Sequence, residues 1–272
     1  MSGFSAQWLA LREPYDLAAR NGAVLDALAA AFAGAAAVAV TDLGCGTGST
    51  LRAIAPRLPA PQHWHLADND EALLVAAAKA APSGVRVTTV SIDLACHLEY
   101  VFGDCDLVAT SALLDLVSAG WLDRLVASLV RRSCPIYAAL SYDGAVALAP
   151  ETPHDAAVIA AVNRHQRTDK GFGPALGPDA AQTAPQRFRA AGFAVVEGRS
   201  DWNFSAGDRD IQMDMLAGWA AAAGEIGVAP AILDAWLRER RDHVTAGRSH
   251  MRVGHIDFFA SPAGFAGPTG RR

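Results

Sequence analysis

The sequence predicts an α/β fold: a doubly wound, mostly parallel seven-stranded sheet with helices on both faces and a helical and loop insertion after the fifth strand. Three observations predict it. Short apolar runs alternate with amphipathic segments of helical period along most of the chain. Residues 36–41 form an apolar run that enters a turn with glycine at every second position, Gly44, Gly46 and Gly48, and Leu51, Ile54 and Leu58 then recur at helical spacing. Finally, Asp42, Asp68 and Asp93 close three successive predicted strands. Ligands of open parallel sheets bind outside the carboxyl ends of the strands, at the point where the strand order reverses.

The elements follow in order. Residues 4–20 space Trp8, Leu11 and Tyr15 as one helix face, with Arg12 between them and Asp16 and Arg20 after them, and 23–32 form a second helix. The first strand, 36–41, and the helix after the glycine turn come next. Pro59 and Pro61 mark a loop, and 63–67 make a second strand that ends in Asp68-Asn69-Asp70. Asp70 is placed to cap a helix over 71–81. His63 and His65 share one strand face, but no third ligand is near in sequence, so they are read as strand packing. A third strand over 85–92 ends at Asp93-Leu94, where the acid's plainer role is to form a turn. Residues 105–110 are a fourth strand, followed by Ser111-Ala112-Leu113-Leu114-Asp115. The helix over 120–132 carries Trp121, Leu122, Leu125, Val126 and Leu129 at core spacing. The fifth strand is 135–140, and Ser141-Tyr142-Asp143-Gly144 after it either turns the chain or faces substrate.

Residues 149–185 are punctuated by five prolines. They contain a helix over 154–165 and a polar, glycine-rich stretch, Gln166 to Pro174, read as an ordered lid. A helix over 180–191 stops at Gly192. A sixth strand, 193–197, an aromatic edge at Trp202 and Phe204, helices over 211–223 and 231–243, and a last strand over 254–260 complete the set. A frayed tail is expected after Ser261.

Composition narrows the function. The 272 residues are 51% hydrophobic, enough to bury a full core as one domain. The net charge of -5, from 28 acids and 23 bases, and the lack of a long basic run disfavour a nucleic-acid partner. The cysteines at 45, 96, 105 and 134 form no Cys-x-x-Cys pair, so no zinc or redox motif is indicated, and their number suits a reducing cytoplasm. The N-terminus lacks a basic start followed by an apolar run, so no signal peptide is expected. Asp26 and Gly34 interrupt the Ala-rich stretch 23–40, which reads as helix then strand and not as a membrane span.

Two ligands compete for the glycine turn. A dinucleotide wants Gly-x-Gly-x-x-Gly, and here Ser49 stands at the third glycine. Asp42 also sets a carboxylate near a mouth where a pyrophosphate would sit, which favours a cation instead. The run Asp42-Leu43-Gly44-Cys45-Gly46-Thr47-Gly48 resembles motif I of the class I S-adenosylmethionine-dependent methyltransferases. Asp68, twenty residues past Gly48, is similarly placed to their motif II, and the segment from Asp106 to Asp115 resembles motif IV of the small-molecule enzymes. The resemblance runs motif by motif over 36–140 and by element order alone over 186–260.

That resemblance implies S-adenosyl-L-methionine as cofactor and S-adenosyl-L-homocysteine as product. It implies cofactor contacts at Asp42, Gly44, Cys45, Gly46, Gly48, Asp68, Asn69, Asp93, Leu94 and Ser111. Asp68 would accept from the ribose hydroxyls and Asp93 from the adenine amino group. Arg12, Tyr15 or Arg20 would meet the methionine carboxylate, and the last strand would insert antiparallel beside the fifth. It divides the chain into an N-terminal helical cover over 1–35, a cofactor-binding half over 36–148, an insertion or lid over 149–185 and a substrate-side half over 186–262. The Pro-Pro-aromatic cup and the Pro-Cys nucleophile of base methyltransferases are absent, so a small molecule or lipid-like metabolite is the expected acceptor. If a base is needed, His165, with Asp169 nearby, leads Tyr142, Asp143 and His154. Two alternatives stand beside this reading: an NAD-dependent oxidoreductase, and a non-catalytic S-adenosylmethionine-binding accessory protein.

Overall fold

A computed structural model describes residues 4–268. β1 (Val38–Leu43) lies inside one sheet, paired in parallel with β2 (Gln62–Asp68) on one side and β4 (Leu107–Ser111) on the other. β3 (Val85–Ser91) lies outside β2, and β5 (Ile136–Ala149) follows β4. β8 (His250–Pro262) inserts antiparallel between β5 and β6 (Phe193–Arg199), and the short β7 (Trp202–Phe204) pairs with β8 farther along. The sheet order is therefore β3-β2-β1-β4-β5-β8-β6, with β7 as an eighth strand. The chain winds outward from β1 to β3 and then crosses back to β4, which makes the β1/β4 boundary the switch point.

Capping side chains start the helices where the sequence offers them. Ser5, Asn21, Asp70 and Ser118 accept from backbone N–H groups in the first turns of α1 (Ala6–Ala19), α2 (Gly22–Phe32), α4 (Glu71–Lys79) and α6 (Ala119–Arg132). Gly48, at φ 83°, instead leads from the glycine turn into α3 (Ser49–Ile54). Because strand residues alternate faces, β1 serves two cores. Val38 and Val40 pack with Leu28, Phe32 and Ile54 on one face, while Leu43 packs with Trp121, Leu125 and Leu129 of α6 and Phe188 of α8 (Ala180–Ala190) on the other.

A third core stands beyond the sheet proper. Tyr142, Trp202, Leu216, Trp236 and Val253 fill it. It joins the far ends of β5 and β8 to β7 and to α7 (Asp155–His165), α9 (Arg209–Glu225) and α10 (Pro230–Thr245). One buried clamp fixes this layer. Arg240 of α10 donates through Nε to Asp155 Oδ1 (2.8 Å) and through Nη1 to the Pro150 carbonyl (2.7 Å), and its Nη2 pairs with Asp155 Oδ2. Trp236 Nε1 donates to the same carboxylate at 2.8 Å.

The structure departs from the expected elements chiefly at β5 and β8. Of the two readings open for 141–144, the turn is absent, because β5 runs on for 14 residues and β8 for 13. Leu140 (φ 54°) and Gly144 (φ 83°) bend β5 without ending it, and the register with β8 shifts on either side of them. At the bend, buried Asp257 of β8 accepts from Leu140 N (2.8 Å), whose ladder bond is lost there, and its other oxygen accepts from Asn21 N (3.0 Å) at the start of α2. β8 continues to Pro262, one residue into the tail expected to fray after Ser261, and the end of that tail from 269 lies outside the described residues.

Candidate active site

The glycine turn is held from beneath. Gly44 N and Cys45 N both donate to the Ala67 carbonyl at the end of β2 (2.9 and 3.1 Å), and Gly46 N donates to Asp68 Oδ2 at 2.8 Å. The acid of the second strand thus clamps the turn of the first. Its other oxygen accepts from Asp70 N at 3.0 Å, and both oxygens keep further lone pairs. Gly46 sits at φ 52°, and a Cβ there would come within 3.2 Å of Leu9 in α1. Arg52 of α3 ties α1 to the turn: it donates to both carboxylate oxygens of Glu13 (2.5 and 2.6 Å) and to the Thr47 carbonyl (2.7 Å).

Above the turn opens a cavity of roughly 1280 Å³. It runs from the carboxyl ends of β1–β4 to the third core. Gly44, Cys45, Gly46, Asp68, Asn69, Asp93, Leu94 and Ser111 all line it, as their positions at strand ends predict. Asp93 also plays its bland role, since it caps α5 (Leu94–His97) by accepting from Ala95 N at 2.9 Å. The far wall is aromatic and acidic, with Trp202, Trp219, Phe172, Asp115, Asp214 and Glu225. The cationic side chains in the lining are Arg12 and Lys170.

Several expected contacts are corrected. Gly48 and Asp42 do not line the cavity. Gly48 faces Ala77 and Arg52, where a Cβ would be crowded, so it serves packing. Asp42 is fully buried below the turn, and neither carboxylate oxygen has a hydrogen-bond partner. Burial pushes its pKa up to about 8, against the pull of Arg20 and with the push of Asp68. The carboxylates at the mouth are therefore those of Asp68 and Asp93, and burial favours the protonated form of Asp42. Of the three side chains considered for a carboxylate, Arg12 alone lines the cavity. Its Nε donates to Asp16 at 2.9 Å. Tyr15 donates to Asp208 (2.8 Å) and Arg20 to Tyr137 (3.2 Å).

The candidate bases divide as well. His154 precedes α7 and is absent from the lining. His165 lines the cavity but pairs with Glu225 of α9 (2.9 Å), with Lys170 Nζ 3.3 Å from its other nitrogen. The expected partner Asp169 is instead turned into its own loop, where it accepts from Gly171 N and Gly173 N. Tyr142 lines the cavity too, yet its hydroxyl donates to Asn163 Oδ1 at 2.7 Å. Burial and the nearby Asp143 and Asp115 raise its pKa, so it stays protonated. Asp143, the remaining candidate, is absent from the lining and accepts from Ala145 N at 2.8 Å.

Two buried lining residues, Asp115 and His255, were given no site role from the sequence. Asp115 lies in the loop after β4, and its Oδ1 has no partner; burial lifts its pKa to about 6. His255 of β8 pairs in register with Tyr142, and its ring lies 4.7 Å from that of Trp202. Burial and then Arg12 push its pKa down to about 3, so it is neutral. Asp115 was legible as the end of a Leu-Leu-Asp run, but nothing local marked it as buried. His255 lies 140 residues from Asp115, and only pairing of β8 with β5 brings it to the site. The sheet also sets the free thiols of Cys105 and Cys134 side by side, 3.8 Å apart at the opposite, amino end of β4 and β5. Among the described residues no cluster of three or more His, Cys, Asp or Glu is placed to hold a metal ion, and no helix is long and apolar enough to cross a membrane.

Residues 40–135 match the family model described as a methyltransferase domain. No curated sequence matches the chain. Among solved structures, a cyclopropane-fatty-acyl-phospholipid synthase-like protein from Lactobacillus casei aligns at 16% identity with a TM-score of 0.52, over 93% of this chain and 94% of its own. A cyclopropane synthase from Mycobacterium tuberculosis aligns at 12% identity and a TM-score of 0.49, over 95% and 94%. A methyltransferase from Geobacter sulfurreducens in complex with S-adenosyl-L-homocysteine aligns at 17% identity and 0.47, over 94% and 98%. At these identities the Lactobacillus protein bears on the fold alone.

Proposed function

We propose, from the premise that residues 40–135 are a methyltransferase domain on the class I, Rossmann-like fold, that the chain is an S-adenosylmethionine-dependent methyltransferase acting on a small molecule or lipid-like metabolite. The observation that carries the reading is the joint placement of Asp68 and Asp93 on the rim of the cavity above the glycine turn. The chemistry of that donor set fits the cofactor. Carboxylates at successive strand ends accept from hydroxyl and amino groups, and an acidic rim suits a ligand carrying sulfonium and ammonium charges. Asp68 suits a ribose of either cofactor, so what weighs against the NAD-dependent alternative is Ser49 in place of the third glycine of the dinucleotide turn.

Asp68 would hold the ribose, Asp93 and the Leu94 backbone the adenine edge, and the Gly44–Gly46 backbone the amino-acid end. Asn69 and Ser111, whose Oγ has no partner, would complete the set. When bound, the cofactor supplies an activated methyl group on a positively charged sulfur. The chain's own work is then to align an acceptor with that methyl and to exclude water. Helix α1 supports the second task, since Trp8, Leu9 and Arg12 roof the cavity and Glu13 is fixed to Arg52. We assign 1–35 as the cover, 36–148 as the cofactor half, 149–185 as the lid and 186–262 as the substrate half. Four free cysteines favour a reducing cytoplasmic setting.

Calorimetric titration with S-adenosyl-L-homocysteine and with NADH tests the reading. Binding of the nucleoside and not of the dinucleotide is expected, and the reverse pattern refutes it. Turnover to S-adenosyl-L-homocysteine in the presence of a metabolite extract separates an enzyme from an accessory binding protein.

A further inference from the structure

The acids that line the cavity are mostly committed. Asp68 holds Gly46 N and Asp70 N, and Asp93 holds Ala95 N. Asp16 holds Arg12 and the Trp202 indole N–H (3.0 Å), and Glu225 holds His165. Asp115 differs. It is 94% buried, with a relative exposure of 6%, yet Oδ1 has no hydrogen-bond partner. A buried polar atom left unpaired costs about 1–3 kcal/mol, more when it is charged, and such an orphan in a cavity wall marks where a ligand belongs.

The neighbours of Asp115 define that ligand. The Tyr142 backbone N–H faces its carboxylate from β5, and Arg12 acts on it from α1. Arg12 is itself held by Asp16 and lies over the Trp202 ring, 5.1 Å from guanidinium carbon to ring centre. Across the strand pair, His255 adds a second buried side chain with an unpartnered nitrogen, Nδ1. Trp202 and Tyr142 supply apolar surface beside these groups. The free positions thus want a hydrogen-bond donor carried on a flat or apolar skeleton.

We propose that Asp115 receives the acceptor group of the substrate, and that this group is a neutral O–H or N–H on an aromatic or similarly flat apolar skeleton, not a carboxylate. The inference rests on the methyltransferase reading above. In the transfer, the acceptor's oxygen or nitrogen forms the new bond to the methyl carbon, and the electron pair of the broken carbon–sulfur bond stays on sulfur. The acceptor's proton passes to Asp115 and leaves through the cavity mouth to solvent. His255, neutral over the physiological range, orients the skeleton by hydrogen bonding and ring contact.

Two probes of one shape test this, 2-naphthol and 2-naphthoate, titrated by calorimetry into the S-adenosyl-L-homocysteine complex of the full chain at about pH 8. Wild type is expected to bind the naphthol at least about tenfold more tightly than the naphthoate. Asp115→Asn is expected to erase most of that preference while binding S-adenosyl-L-homocysteine within about twofold of wild type. The preference should also shrink at about pH 5, below the Asp115 pKa of about 6; of the groups that face it, Tyr142 is raised and His255 lowered, so both stay neutral from about pH 5 to about pH 8, and Arg12 supplies a guanidinium. Equal or tighter binding of the naphthoate overturns the proposal and hands acceptor recognition to Arg12. So does an unchanged preference in Asp115→Asn, or no naphthol binding at about 1 mM. If Asp115→Asn fails to bind S-adenosyl-L-homocysteine, Asp115→Ser serves as the uncharged variant under the same criteria. Wild-type protein that binds no S-adenosyl-L-homocysteine refutes the methyltransferase reading itself, a result distinct from any of these.

Discussion

Asp68 does two jobs with one carboxylate: it restrains the glycine turn through Gly46 N and it presents free lone pairs to the cavity. Asp68→Ala removes both. Hydrogen bonds to a charged group are worth about 1.5–3 kcal/mol each, so the affinity for S-adenosyl-L-homocysteine should fall about 10- to 100-fold by calorimetry. An unchanged affinity removes Asp68 from the site. Asp42 makes a contrasting prediction. Its folded pKa of about 8 lies above the ordinary carboxyl value of 3.8, so between those values the folded state holds a proton the unfolded state has lost. Stability from this group is present at low pH and declines as pH rises from about 4 to 8. Asp42→Asn cannot titrate. Its melting temperature should gain on that of wild type between about pH 5 and pH 8, by at least roughly 2–4 °C, the effect of about 1 kcal/mol in a domain of this size. A constant gap across that range means that Asp42 is ionised in the folded protein. Asp42 was legible as a motif acid, but its charge state was not, because that depends on burial by strands that arrive later in the chain.

At the scale of elements, the strands and helices around the glycine turn were readable because each carries a local signal. Alternation marks the strands, 3.6-residue spacing marks α6, and Ser118 and Asp70 mark helix starts. The readings failed where an element is held by a distant partner. The bend at Leu140 persists because Asp257, more than a hundred residues later, accepts its N–H. A local reading therefore left a turn open where the strand continues. The third core shows the same dependence, since α7 is fixed to α10 by a carboxylate and a guanidinium 85 residues apart. Arg240→Ala leaves Asp155 with much of its burial and without its main partner, and should cost about 3–5 kcal/mol in urea denaturation. Arg240 holds the Asp155 pKa below its usual value despite burial. The clamp is accordingly intact above about pH 4, the unfolded value, and is lost as pH falls through the depressed folded one. A loss below about 1 kcal/mol in Arg240→Ala would mean that α10 packs independently of the clamp.

The whole molecule is a cofactor-type sheet extended at one end by a second layer, and the cavity lies where the two meet. That arrangement predicts a linked stability. With ligand at about a hundred times its dissociation constant, S-adenosyl-L-homocysteine should stabilise the fold by about 2.7 kcal/mol, a rise of roughly 5–10 °C in melting temperature, while NADH should leave it unmoved. A rise with NADH alone would reverse the choice of cofactor. The sequence by itself determined the strands and helices around the glycine turn and the carboxylates at the ends of the second and third strands, because those features rest on local periodicity, turn chemistry and short spacings; the antiparallel last strand was legible only through the family resemblance. Tertiary structure decided the rest. It buried Asp42, diverted His165 to Glu225, set Cys105 beside Cys134, and brought Asp115 and His255 to one wall. The reason is physical: a side chain's charge, partner and exposure are set by what packs against it, and here those neighbours come from segments tens to hundreds of residues away.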